Sequence, residues 1–154
     1  MQVDIISLPQ QRVASVRHLG PYNQISEAFG RLGAIAGPAG LFGPPGARMI
    51  AIYHDDPEAV APAELRSDAG VVVTDDKAIP PALVEIRIPA GRYARTLHVG
   101  PYDELGDVWS RFMGGWLVEN GHRVGHGPCY ELYLDDPTQT APEALRTELY
   151  CPIA

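Results

Sequence analysis

The chain has 154 residues, 45% of them hydrophobic, with 19 acidic and 12 basic side chains and a formal net charge of -7. That size and apolar content supply one buried core, or two small halves sharing one, and exclude a disordered chain. A scattered acidic excess excludes direct nucleic-acid binding, which needs a basic face; no apolar run reaches membrane-span length, and "MQVDIISLPQ" lacks the features of a signal peptide, so a cytoplasmic protein with no membrane partner is expected.

In chain order, "VDIISL" and "VASVRHL" are short runs rich in branched residues around "PQQ", which predicts a hairpin. Gly20-Pro21-Tyr22 then ends the strand and opens a helix from about Asn23 to Ala36. Ile25, Ala28, Phe29, Leu32 and Ile35 form its apolar stripe, weakened by Gly30 and Gly33. A Gly- and Pro-rich loop follows, whose "GPPGAR" lacks the Lys-Ser/Thr of a phosphate loop. Next come a strand ("RMIAIYH"), an Asp-Asp-Pro turn with a short helical connection, and a last strand ("AGVVVT"). Residues 75–82, "DDKAIPPA", have the turn chemistry and charge of a linker.

The same order then returns. "LVEIRI" and "YARTLHV" predict a second hairpin around "PAG". The second helix carries Leu105, Val108, Trp109, Phe112, Trp116 and Leu117 on one stripe and stops at Asn120-Gly121. "CYELYL", another Asp-Asp-Pro turn and "TELYCPI" complete the chain. The recurrence is residue by residue. Adding 80 to the numbers of Pro9, Arg12, Ala14, His18, Gly20, Pro21 and Tyr22 gives Pro89, Arg92, Ala94, His98, Gly100, Pro101 and Tyr102. In the same register, Tyr53, Asp55, Asp56, Pro57, Pro62, Leu65 and Arg66 become Tyr133, Asp135, Asp136, Pro137, Pro142, Leu145 and Arg146. So long an unbroken register is a duplication. The expected organisation is a single domain over 1–154, built of repeat 1–74 and repeat 83–154 joined by the linker 75–82. The expected fold class is α+β: a tandem pseudo-two-fold repeat of a strand-helix-strand-strand unit, with two antiparallel sheets each backed by a helix and a ligand groove between them.

Residues the copies share build the unit, and those they do not share mark different tasks. Ala51 answers to Glu131, Asp68 to Glu148 and Gly70 to Tyr150. A carboxylate inside the apolar strand "YELYL" is costly to bury without a partner, so it is wet, paired internally to an arginine such as Arg146, or kept for a ligand. Strand alternation aims Glu131 and Tyr133 one way, and Glu148 and Tyr150 together on the neighbouring strand. Brought to one side, they would make an acidic, aromatic surface suited to a cation with a large apolar body. In that arrangement Cys129 and Cys151 point apart and stay reduced.

"HLGPY", "ARMIAIYHDDPEAVAPAELRSDAGVVV" and "CYELYLDDPTQTAPEALRTELYCPI" resemble the GyrI-like proteins: the stand-alone DNA gyrase inhibitory type and the effector-binding domains of AraC- and MerR-type multidrug regulators. The resemblance covers nearly the whole chain, and its most specific feature is the Glu of the penultimate strand followed by Tyr-x-Asp-Asp. It implies the tandem fold with a groove between the halves. It also implies that Glu131 is the pocket acid for amphipathic, cationic or electrophilic molecules, with Glu148 and Tyr150 among the lining. Tyr53, Tyr93, Tyr133, Trp109 and Phe112 complete the ligand-binding candidates, although both tryptophans also fit a plain core stripe and Tyr93 fits either groove or helix. Since no helix-turn-helix precedes the domain, a stand-alone binder is expected rather than a complete regulator. Some stand-alone members open cyclopropane rings. In a hydrolase of that kind Glu131 would be the general base, with Tyr133 or Tyr150 as donor to the developing oxyanion. The third reading the resemblance implies is a protein-interaction module whose partner is DNA gyrase.

Other signals are weaker. His122, His126 and Cys129 in "GHRVGHGPC" mimic ligand spacing but lack a nearby fourth ligand, so no metal is expected, and no cofactor either. His18 and His98 precede Gly-Pro in both copies, which predicts a hydrogen bond capping each strand end.

Overall fold

Branched and aromatic runs set the strands, and Gly-Pro-Tyr sets each helix start. The computed structural model describes residues 1–44 and 47–154; Pro45 and Gly46, inside the expected Gly- and Pro-rich loop, lie outside the described residues. The class is α+β with antiparallel strands and two main helices. The chain divides into two compact units, residues 10–89 and residues 1–9 with 90–154.

The unit of residues 10–89 contains β2 (Gln11–Leu19), α1 (Ser26–Ala36), β3 (Met49–Tyr53), β4 (Arg66–Val73) and β5 (Val84–Ile88). Its strands run in the order β3-β4-β2-β5, all antiparallel, with Ala51 opposite Ala69, Ser15 opposite Gly70 and Val13 opposite Ile86. A short 3-10 turn, Tyr22–Gln24, leads into α1. Ala28, Leu32 and Ala36 are the buried stripe of that helix, packed on Ala14, Val16, Ala69 and Val71. Residues 75–82 are turns and irregular chain between β4 and β5.

The other unit contains β1 (Val3–Leu8), β6 (Gly91–Val99), α2 (Leu105–Ser110), β7 (Cys129–Tyr133) and β8 (Arg146–Pro152). Its order is β1-β6-β8-β7, again antiparallel. Helix α2 continues as π-helical turns over Arg111–Leu117, where the regular α1 has its counterpart. Leu105, Val108, Phe112 and Leu117 are its buried stripe, over Ala94, Leu149 and Cys151. Gly121, at φ +71°, supplies the left-handed residue that ends it, and the His122 amide reaches back to the Leu117 carbonyl.

The two expected hairpins do not form. β1 pairs with β6, Ile6 opposite Tyr93, and β5 pairs with β2, Gln11 opposite Ile88. The reason lies in the connections: a two-residue hairpin needs positive φ at its turn. Proline holds φ near -65°, and among the described residues only glycines have positive φ. Pro9-Gln10 and Pro89-Ala90 therefore carry the chain onward, and each repeat's first strand pairs with the second strand of the other repeat.

Duplicated turns are built alike. Asp55 accepts the Arg66 amide at 2.7 Å and its guanidinium at 2.8 Å; Asp135 does the same for Arg146 at 2.8 and 2.9 Å. The histidines differ. The His18 Nε2 lies 3.0 Å from the Pro21 carbonyl, the expected strand-end cap. The buried His98 Nε2 has no hydrogen bond among the described residues; the nearest acid, Glu104, is 3.6 Å away.

Candidate functional site

Glu131 sits in the middle of β7, on the face that α2 covers. Only 2% of it is exposed. The Trp109 indole N–H of α2 donates to Oε1 at 3.2 Å, and the Tyr133 hydroxyl, two residues along the strand, donates to Oε2 at 3.2 Å. These two bonds, from an indole N–H and a phenol O–H, orient the carboxylate. Such bonds also offset the cost of removing the acid from water. Arg146, the arginine proposed as an internal partner, is held by Asp135.

Aromatic rings surround the acid. Tyr102, at the start of the helical segment, meets Tyr133 edge-on with ring centres 5.3 Å apart, and Trp109 lies against Phe112 at 5.9 Å. Burial raises the Tyr102 hydroxyl pKa above its ordinary value, and the charges of Asp135 and then Glu131 push it the same way. Phe112 is fully buried, and Trp116 beyond it carries the His122 ring flat on its face at 5.3 Å. Trp109, Tyr102 and Tyr133 are partly exposed and roof the acid.

The two acids do not share a face. Glu131 is opposite Leu149, whereas Glu148 is opposite Leu132 and Tyr150 opposite Tyr130. Residues directly opposite in an antiparallel ladder point the same way. Glu131 and Tyr133 therefore face α2, and Glu148 and Tyr150 face the other side. One residue of register separates this from the expected arrangement, and in a strand one residue reverses every side chain. On the second face Tyr150 stacks on Tyr130 at 4.6 Å, Tyr93 meets Tyr130 edge-on at 5.9 Å, and the Tyr150 hydroxyl donates to Glu148 at 3.2 Å. Arg95 bridges Glu148 at 3.7 Å and Asp4 at 3.3 Å. Burial raises the Tyr150 and Tyr93 hydroxyl pKa values. Tyr53, in the other unit, packs on Tyr22 at 4.7 Å.

The same register corrects the cysteines: Cys129 and Cys151 do not point apart but lie on one face, the α2 face, both as free thiols. Two residues escaped the sequence reading. Tyr102 belongs to the shared Gly-Pro-Tyr, which reads as structure, and Tyr130 sits beside Glu131 but on the other side of the strand. The Tyr130-Tyr150 stack was open to a register argument, and Tyr102 was not.

No helix among the described residues is long and apolar enough to cross a membrane. The model of the GyrI-like small molecule binding domain matches residues 1–154. A DNA gyrase inhibitor of Yersinia enterocolitica is 34% identical over 141 residues, covering 88% of each chain. In fold, the chain is similar to the EcmrR C-terminal domain, with TM-score 0.79, 22% identity, and 99% and 97% of the two chains covered. It is also similar to SAV2435 bound to tetraphenylphosphonium, with TM-score 0.73, 15% identity, and 100% and 94% covered. With the family model matching from end to end and the α+β architecture in place, the chain belongs to the GyrI-like small-molecule-binding domain family.

Proposed function

We propose that this protein binds amphipathic, cationic or electrophilic small molecules, with Glu131 as the charged anchor and Trp109, Tyr102 and Tyr133 as the aromatic wall. The observation that carries the reading is a carboxylate in an apolar strand, only 2% exposed, held by Trp109 and Tyr133 inside an aromatic surround. A cation brought to that oxygen pair gains a charge interaction that water screens poorly, and tyrosine and tryptophan faces add cation-π attraction. Because Trp109 roofs the acid, a bulky ligand reaches Glu131 by displacing that ring, and the cost of opening it comes out of the binding energy. The tetraphenylphosphonium held by a protein of the same fold supports the ligand class.

Titration of tetraphenylphosphonium, followed by tryptophan fluorescence and calorimetry, tests this. Glu131→Gln keeps the shape and removes the charge; losing the Coulombic contact to the phosphonium in a partly dry site predicts a loss of roughly 10-fold or more in affinity. Glu148→Gln, on the opposite face, serves as the control and leaves affinity unchanged. Equal affinity in the parent and Glu131→Gln would remove the anchor. Should the site act as a hydrolase with Glu131 as general base, loss of a cyclopropane-bearing alkylator would accelerate with the parent protein and not with Glu131→Gln.

A second reading follows from the Yersinia relative: association with DNA gyrase. Its test is a supercoiling assay, in which the parent protein slows gyrase and a saturating lipophilic cation changes that effect. Undisturbed supercoiling at excess protein removes this reading and leaves the first intact.

A further inference from the structure

Cys129 and Cys151 take no part in the reading above, and their placement is unlike that of two incidental core cysteines. The β7-β8 ladder pairs Tyr130 with Tyr150, so one step outward sets Cys129 opposite Cys151. Their counterparts in the first copy, Met49 and Val71, are direct partners across β3 and β4. An apolar pair therefore satisfies the fold at this point, and only the second copy replaces it with two thiols. Facing residues of an antiparallel ladder have Cα atoms about 4.5–5.5 Å apart, inside the roughly 4.4–6.8 Å that a disulfide spans. Both thiols are free, and both pack in the cluster beneath α2. Cys151 is completely buried, while Cys129, at the end of the strand, is partly exposed.

We propose that Cys129 and Cys151 form a reversible dithiol-disulfide modification site, oxidised by a low-molecular-weight disulfide of the glutathione type. Exposure assigns the order of attack. Cys129 sulfur, as thiolate, attacks one sulfur of the small disulfide; a protein-glutathione S–S bond forms, and one glutathione leaves and takes up a proton. Cys151 then loses its proton and attacks the Cys129 sulfur, forming the cross-strand bond and expelling the second glutathione. Two protein thiols are oxidised by two electrons, and one small disulfide is reduced to two thiols. The acidities agree with this order: the neighbouring Cys151 thiol holds Cys129 below its ordinary pKa against the effect of burial, and Cys129 and burial together raise Cys151. The bond would tie β7 to β8 two residues before Glu131, on the same face of the strand.

The test exposes the full-length folded protein to oxidised glutathione near neutral pH and follows intact mass and thiol alkylation. The expected result is loss of two hydrogens, resistance of both cysteines to alkylation, a peptide map joining residue 129 to residue 151, and full reversal by dithiothreitol. Cys151→Ser is expected to stop at one glutathione on Cys129, and Cys129→Ser to remain unmodified over the same interval. The proposal is overturned by a parent protein that keeps both thiols, by disulfides that join separate molecules, or by a Cys129→Ser protein that takes up glutathione at Cys151. Should the serine variants fail to fold, the parent's peptide map alone decides.

Discussion

Asp68 in the first copy and Glu131 in the second are both only 2% exposed, but their neighbours differ in kind. Asp68 accepts from the Arg17 guanidinium at 2.8 Å and is paired with His54, and these contacts hold its carboxyl below its ordinary pKa although burial works against them. Glu131 accepts from an indole and a phenol. At the position of Glu131 the first copy has the fully buried Ala51, and at the position of Trp109 it has Phe29, which has no N–H to give. The Arg17 guanidinium thus ties Asp68 to its own sheet, whereas an indole and a phenol orient Glu131. Tyr22-Tyr53 and Tyr102-Tyr133 are kept as the common aromatic pairs of the two copies.

The sharpest way to break the comparison is to move the acid. Ala51→Glu places a carboxylate in the core of the unit of residues 10–89, where Phe29 cannot donate to it. An unsatisfied buried charge costs about 3–5 kcal/mol. Urea unfolding is expected to show a drop of that order, and a variant as stable as the parent would mean that position 51 has its own way of meeting an acid. Asp68→Asn comes next, with an expected loss of about 2 kcal/mol, the scale of a hydrogen bond to a charged group. The partial exposure of Arg17 keeps the figure from rising further. If high salt abolishes the difference between parent and Asp68→Asn, the pair is acting as a surface bridge and the contrast with Glu131 weakens.

Repetition made most of the architecture legible. It carried the two helices, the Asp-Asp-Pro turns and the singular acid of the second copy, because spacing and alternation are local properties. Pairing was not legible. The hairpins failed at Pro9-Gln10 and Pro89-Ala90, where the run of strand, turn and strand is correct and only the backbone angles of the turn decide between folding back and running on. Register was the second loss. Alternation along β7 and along β8 was each read correctly, but which residue faces Glu131 depends on a long connection through the Asp-Asp-Pro turn. Leu149 stands there, so Glu148 and Tyr150 moved to the opposite face and the two cysteines came together. Arg146 was a plausible partner by sequence, and its backbone amide and guanidinium together bind Asp135, a closure around one residue that spacing does not announce.

A smaller effect sharpens the account of how Glu131 is held. Trp109→Phe keeps the ring against Phe112 and removes only the N–H, so the expected loss of stability is about 1 kcal/mol. Trp109→Leu removes the aromatic roof as well and should cost more in tetraphenylphosphonium affinity than in stability. Equal stability of Trp109→Phe and the parent in chemical denaturation would show that the indole N–H is not needed to hold the acid.

The smallest effect concerns the duplicated Asp-Arg closures, where the copies should behave alike. Arg66 side-chain and backbone donors hold the Asp55 carboxyl down to about 2, and the Arg146 guanidinium likewise lowers Asp135. A carboxyl whose folded pKa is depressed adds stability above its unfolded value, near 3.9, and loses it as pH falls through the folded value. For Asp55 the loss is therefore confined between about pH 4 and about pH 2, with no contribution to the slope at neutral pH. Both closures lie at the surface, so the change is shallow and salt-sensitive. Thermal melts of the parent, Asp55→Asn and Asp135→Asn over that range check it: each substitution should flatten the acid limb by a similar amount, because the same bonds close both turns. A limb flattened by one substitution and untouched by the other would show that duplication of geometry has not carried over into duplication of energy.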